Sequence, residues 1–165
     1  MSKPVRGSKD ELIRRPRLPA TPADLEAYLP HLLNWLTNRW AVVQNRDLGE
    51  HGINGTLLRT LSVLYIYKTL TVNEIASHAV VDQSNASRTI DSMVAAGLVE
   101  RQIAEKDLRR REIALTDKGE RLLKQLWPVM ARNHEKLIGN IPAKDLKVCI
   151  ATVLAMIRNI GDEPN

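Results

Sequence analysis

Between Leu70 and Leu123 the residue pattern changes period twice, from helical to alternating and back, and that succession limits the folds open to the chain. Thr71-Val72-Asn73-Glu74 is a capping-box sequence, with a carboxylate three residues after a threonine, and it opens a short helix carrying Ile75 and Ala76. The turn Ala79-Val80-Val81 leads to Asp82, a residue type suited to cap a second helix that begins at Gln83. At helical spacing Ala86, Ile90, Met93 and Val94 fall on one side of it. Gln83, Ser84, Asn85, Ser87, Arg88, Asp91 and Ser92 fall on the other. Gly97 is placed to stop it. Residues 98–103 and 112–115 then alternate as paired strands do, around the charged tip 104–111. Thr116 caps a long helix that follows.

The flanks are helical. Thr21-Pro22-Ala23-Asp24 is a helix start, with a threonine cap, proline in the first turn and an acid behind it. The helix is expected to bury Leu25, Tyr28, Leu29, Leu32, Leu33, Leu36, Trp40 and Val43, with a kink or restart at Pro30 and an end near Gly49 and Gly52. Asn54 caps the next, which carries Leu57, Leu58, Leu61, Leu64 and Tyr65. After Thr116, a helix with Leu122, Leu123, Leu126, Val129, Met130 and Leu137 is expected to bend at Pro128. Gly139 and Pro142 precede a last helix with Leu146, Cys149, Ile150, Val153, Leu154 and Ile157, in which Cys149 is expected to pack as a small buried apolar residue.

The predicted fold class is mainly α (α+β), a winged helix-turn-helix between long N- and C-terminal helices. Its expected parts are a basic arm over residues 1–20, a dimerisation helix over 21–52, a winged helix-turn-helix over 53–119 and C-terminal dimerisation helices over 120–165. The apolar stripes of the terminal helices exceed what one small domain needs, so a two-fold homodimer is expected.

Charge is unevenly spread. The net charge is +5, and residues 1–20 hold six basic against two acidic side chains, leaving only +1 for the rest. A basic arm on a near-neutral body suits contact with an anionic polymer, the alternative being a solvated terminus. Aromatics make up 4% with no Phe, so Leu, Ile, Val and Ala must build the core, as in helix-on-helix packing. The single cysteine, Cys149, excludes an intramolecular disulfide framework. No apolar run reaches the roughly 18 residues of a membrane span, and no apolar stretch follows the basic terminus as in a secretory leader, so a cytoplasmic protein without membrane contact is expected. His31, His51, His78 and His134 are scattered, without metal-ligand spacing. There is no glycine-rich phosphate loop, and no local signature of a nucleophile. No metal, no cofactor and no enzymatic activity are expected.

A polar helix followed by an arginine-bearing hairpin suits reading a DNA groove and gripping phosphates. The chain resembles the MarR family (multiple antibiotic resistance regulators) in three segments: 71–76; 84–91 followed by 97–101; and Asp107-Leu108-Arg109-Arg110-Arg111 leading to Leu115-Thr116-Asp117-Lys118-Gly119. The spacing of Asp-x-Arg before Leu-Thr-x-x-Gly is its most specific part. The resemblance implies a dimeric transcription factor, often a repressor, with the second helix of the motif in the major groove, the wing in the minor groove and a small ligand relieving binding. By position Ser84, Asn85, Ser87 and Arg88 would contact bases and phosphates, Arg109 would be the wing-tip arginine and Asp107 would brace it. Two departures stand out: Leu108 replaces a polar residue common before the wing arginine, and the basic arm is long.

The chemistry of these side chains agrees. Arg88 can pair bidentately with guanine, and Asn85 or Gln83 with adenine. Arg109 suits a narrow minor groove. Arg110, Arg111, Lys106 and Arg101 would meet phosphates or pair with Glu100, Glu105 and Glu112. Residues 100–112 hold five basic and four acidic side chains, so the wing's net charge is only +1. The family often holds ligands between its first helices, the following helix and the long helix after the wing. There Trp35, Arg39, Trp40, Arg59 and Tyr65 offer aromatic walls and a cation to an acidic aromatic compound, core and dimer packing being the other reading. The expected partners are a pseudo-palindromic DNA operator, a second copy of the chain and a small effector. The alternative function is a winged-helix module that binds protein rather than specific DNA.

Overall fold

The computed structural model describes residues 18–104 and 107–161, without the side chains of residues 104 and 107–110. Two compact units divide at Val43/Gln44. Helix α1 (Pro22–Glu26) opens as expected: the Thr21 hydroxyl accepts from Asp24 N, and the Asp24 carboxylate accepts from Thr21 N. The chain then restarts as α2 (Leu29–Gly49), with Pro30 in its first turn, where no N–H is required of it. None of the eight apolar residues expected to be buried here is buried. Leu25, Tyr28, Leu29, Leu33 and Leu36 are exposed, and Leu32, Trp40 and Val43 are half-buried.

The second unit takes in the end of α2 and then α3 (Gly55–Tyr67), β1 (Thr69–Leu70), α4 (Val72–His78), α5 (Gln83–Ala95), β2 (Val99–Ala104), β3 (Asp107–Leu115), α6 (Asp117–Ile138) and α7 (Ala143–Ile160). Asn54 caps α3 by accepting from Leu57 N at 2.9 Å. Thr71 and Glu74 form the expected capping box on α4. Thr116 caps α6, which runs unbroken through Pro128 to Ile138. Asp82 occupies the cap position of α5, but its side chain makes no cap hydrogen bond. The cap was legible as a position and not as an interaction.

Three antiparallel strands form the sheet, in the order β1-β3-β2. Its hairpin was expected. Strand β1 was not: it is two residues long, too short to show alternation, and pairs Thr69 with Ala114 and Leu70 with Ile113. Between α4 and α5, Val80 takes a left-handed backbone (φ +54°). A β-branched residue there costs about 1–2 kcal/mol, and its side chain is 83% exposed.

The core gathers Leu48 with Leu58, Leu61 and Leu64 of α3, Ile75 of α4, Ile90 and Met93 of α5, Val99 and Ile113 of the sheet, and Leu123, Leu126 and Met130 of α6. Each such aliphatic side chain contributes about 1.5–3 kcal/mol when fully buried. By contrast α7 buries none of its residues, and Val148, Ile150, Val153, Leu154, Ile157 and Ile160 stand exposed along it. Cys149 is exposed too, against the packing role expected for it.

Candidate nucleic-acid interface

Helix α5 sits on the core through Ala86, Ile90 and Met93, each fully buried. That anchorage leaves Gln83, Ser84, Asn85, Ser87 and Arg88 exposed in one row over its first two turns. The side chains are short or flexible polar groups with both donors and acceptors, the inventory needed to match base edges. Arg88 Nε donates to Ser84 O at 3.3 Å, which engages one of the guanidinium's five N–H groups.

Two bonds tie this row to its neighbours, and neither was foreseen. Gln83 Nε2 donates to Asn73 Oδ1 of α4 at 2.7 Å, which links the paired helices on their exposed side. Asn73 was passed over because the capping box around it already accounted for the local sequence. Asp91, one turn beyond Arg88, forms an ion pair with Arg101 of β2 and ties the helix to the wing. Arg101 had been assigned to phosphates or to the wing's own acids. Its partner lies ten residues back, and only the packing of α5 against β2 reveals it.

The wing is built by β2 and β3, from Val99 opposite Leu115 to Ile103 opposite Arg111, with an irregularity between Ile103 and Ala104 that leaves Ala104 opposite Asp107. Arg111 is exposed. Asp107, Arg109 and Arg110 lie on β3 by backbone, and their side chains fall outside the described residues. Lys106 and Glu105 fall outside them entirely.

A cleft of about 470 Å³ opens between α3 and α6, lined by Ser62, Tyr65, Ile66, Leu123, Lys124 and Trp127. Its walls are mostly apolar, and Lys68 Nζ lies 4.9 Å from the Tyr65 ring centroid. Lys124 Nζ donates to Glu120 at 2.6 Å. That bond holds the Glu120 carboxyl below its ordinary value and the Lys124 amine above its own, so Lys124 stays cationic at the cleft's edge.

Of the residues expected at a ligand site, Tyr65 lines this cleft. Arg59 does not: its Nε donates to Ala79 O at 2.9 Å, across to the end of α4. Trp35 borders a shallower hollow of about 330 Å³ in the first unit, with His31, Asn34 and Asn38. Arg39 and Trp40 also belong to that unit. Trp127 and Lys124 were not among the expected ligand residues, because their place on the cleft depends on the packing of α3 against α6, which no local spacing shows. No group of three His, Cys, Asp or Glu side chains gathers to hold a metal ion among the described residues. No described helix is long and apolar enough to cross a membrane.

The family model for MarR regulators matches residues 51–110, from the start of α3 into the wing. The fold extends the likeness over most of the chain. A MarR family transcriptional regulator from Silicibacter pomeroyi DSS is 33% identical, over 88% of this chain and 98% of that one, with a TM-score of 0.80. A second MarR family regulator, also from Silicibacter pomeroyi, is 28% identical over 86% and 95%, with a TM-score of 0.76. At 18% identity the fold is still shared with Bordetella bronchiseptica BpsR, whose DNA binding is regulated by 6-hydroxynicotinic acid (TM-score 0.69, over 81% and 98%). A buried-backed polar helix, a wing in register behind it and identity at this level along the chain lead to one assignment: the chain belongs to the MarR family of transcriptional regulators.

Proposed function

We propose that the chain is a cytoplasmic, homodimeric, sequence-specific DNA-binding repressor, not an enzyme, and that a small aromatic acid releases it from DNA. The observation that carries this reading is the exposed row Gln83, Ser84, Asn85, Ser87 and Arg88 on a helix whose opposite side is fully buried. Such a helix can enter a major groove without losing core contacts. In this reading Arg88 pairs with guanine, and Gln83 and Asn85 with adenine. Arg109, braced by Asp107, enters the minor groove, while Arg110 and Arg111 grip phosphates. The uncovered apolar faces of α2 and α7 support a two-fold dimer.

A dimer of this kind addresses two half-sites about 10 base pairs apart, centre to centre. Footprinting on the DNA upstream of the chain's own gene is expected to show two protected half-sites at that spacing, related by approximate two-fold symmetry. A single unsymmetrical site would contradict the dimeric reading.

The cleft supports the effector part of the proposal. Tyr65 and Trp127 offer flat apolar walls and Lys124 a cation, a combination suited to a ring bearing a carboxylate. We assign no ligand contact to Trp35, Arg39, Trp40 or Arg59, none of which lines this cleft. 6-Hydroxynicotinic acid and other monocyclic aromatic acids are expected to release DNA, and Trp127→Ala is expected to raise the concentration needed about ten-fold. Release at an unchanged concentration by the variant would remove the effector from this cleft.

A further inference from the structure

The end of α5 is fastened to the start of α6 by an array of bonds that the DNA-reading proposal does not use. Three consecutive carbonyls emerge there, those of Ala96, Gly97 and Leu98, and each accepts from a residue of the α6 start. Lys118 Nζ donates to Ala96 O at 2.7 Å. The Thr116 hydroxyl donates to Gly97 O at 2.7 Å while accepting from Gly119 N at 3.2 Å. Thr116 N donates to Leu98 O at 3.1 Å. Gly119 permits the approach, since a Cβ built on it would stand 2.1 Å from Leu98 O.

Open carbonyls at a helix C-terminus carry partial negative charge, and an ammonium placed on them is favourable. Lys118 therefore both supplies a charge-assisted hydrogen bond and complements the helix dipole. The reading helix is then held at three points: Gln83 to α4, Asp91 to β2, and its C-terminal end to α6. Only the last connects it to α6, the helix that also carries Leu123, Lys124 and Trp127 of the cleft. A side chain row that must match base edges tolerates displacement of only about 0.5 Å. A tie that fixes the helix end therefore bears on sequence discrimination more than on non-specific attachment.

We infer that Thr116 and Lys118 are positioning residues for DNA reading: they seat the C-terminal end of α5 on α6 and act through that helix, not by touching DNA. The inference rests on the DNA-reading function proposed above.

The test compares wild type, Lys118→Met and Lys118→Arg on the footprinted duplex and on unrelated competitor DNA, across a salt series, with melting temperatures. Methionine keeps most of the hydrocarbon stem and removes the donor. Lys118→Met is expected to lose about ten-fold in affinity for the footprinted duplex. Competitor binding and the slope of log K against log salt are expected to stay as in wild type, and the melting temperature to fall by no more than about 2–4 °C, too little to unfold the protein at the assay temperature. Lys118→Arg, which keeps a donor and the charge, is expected to recover most of the loss. Unchanged binding of the footprinted duplex by Lys118→Met would overturn the inference. So would a parallel loss on both DNAs with a slope shallower by about 0.9, the mark of a phosphate contact. A drop in melting temperature that accounts for the loss, with no recovery by arginine, would overturn it as well. Wild type that does not prefer the footprinted duplex would defeat the DNA-reading function itself, and the inference with it, before any substitution is made.

Discussion

Replacing Arg88 by alanine is expected to weaken operator binding by about 1–3 kcal/mol, the value of one bidentate pair with a base. The loss should concentrate at one base pair. Duplexes altered at that position are expected to bind wild type poorly and the variant about as well as the unaltered operator. The fold should not suffer. Arg88 is exposed, its one described hydrogen bond returns to its own helix at Ser84 O, and alanine is a better helix former. Competition titration against single-base-pair variants of the operator checks this, with a melting curve as control. Equal affinity of Arg88→Ala and wild type for the operator would remove Arg88 from the base-reading row.

A larger loss is expected from charging the uncovered face of α7. Ile150 and Ile157 are two turns apart, 60% and 41% exposed, and share the stripe with Val153 and Leu154. Inserting carboxylates at both, as Ile150→Glu with Ile157→Glu, places two charges where a partner would have to desolvate them, at several kcal/mol each. The protein is expected to sediment as a monomer. Operator affinity should then fall by about 10²–10⁴, because the second half-site contact ceases to be intramolecular. The monomer itself should remain folded, since α7 contributes no buried residue to the core. A variant that stays dimeric and keeps its operator affinity would move the dimer contact elsewhere.

The sequence disclosed the elements whose signals are local. The caps at Thr21, Asn54, Thr71 and Thr116 depend on side chains within three residues of the backbone groups that they satisfy, and all four form as expected. The buried row Ala86, Ile90 and Met93 was legible because helical spacing alone separates the two sides of α5. Contacts set by packing were not legible. The Gln83–Asn73 bond, the Asp91–Arg101 pair and the pairing of Thr69-Leu70 with β3 join residues between ten and forty-five positions apart. For the same reason the eight apolar side chains expected to be buried between Leu25 and Val43, and Cys149 of α7, are not buried. An apolar stripe states that a face avoids water, and does not state whether its own chain or another covers it. Trp127, which no local pattern singles out, stands 63% exposed at the cleft, where α3 and α6 pack together.

The central claim is that the exposed row of α5 reads a DNA sequence. The most direct test is binding of the purified protein to the DNA upstream of its own gene, across a salt series, with unlabelled competitor. The account predicts tight binding that survives excess competitor, with log K falling linearly as log salt rises. Binding that competitor abolishes at every salt concentration, or no binding even at low salt, would contradict it and favour a winged helix that docks on protein.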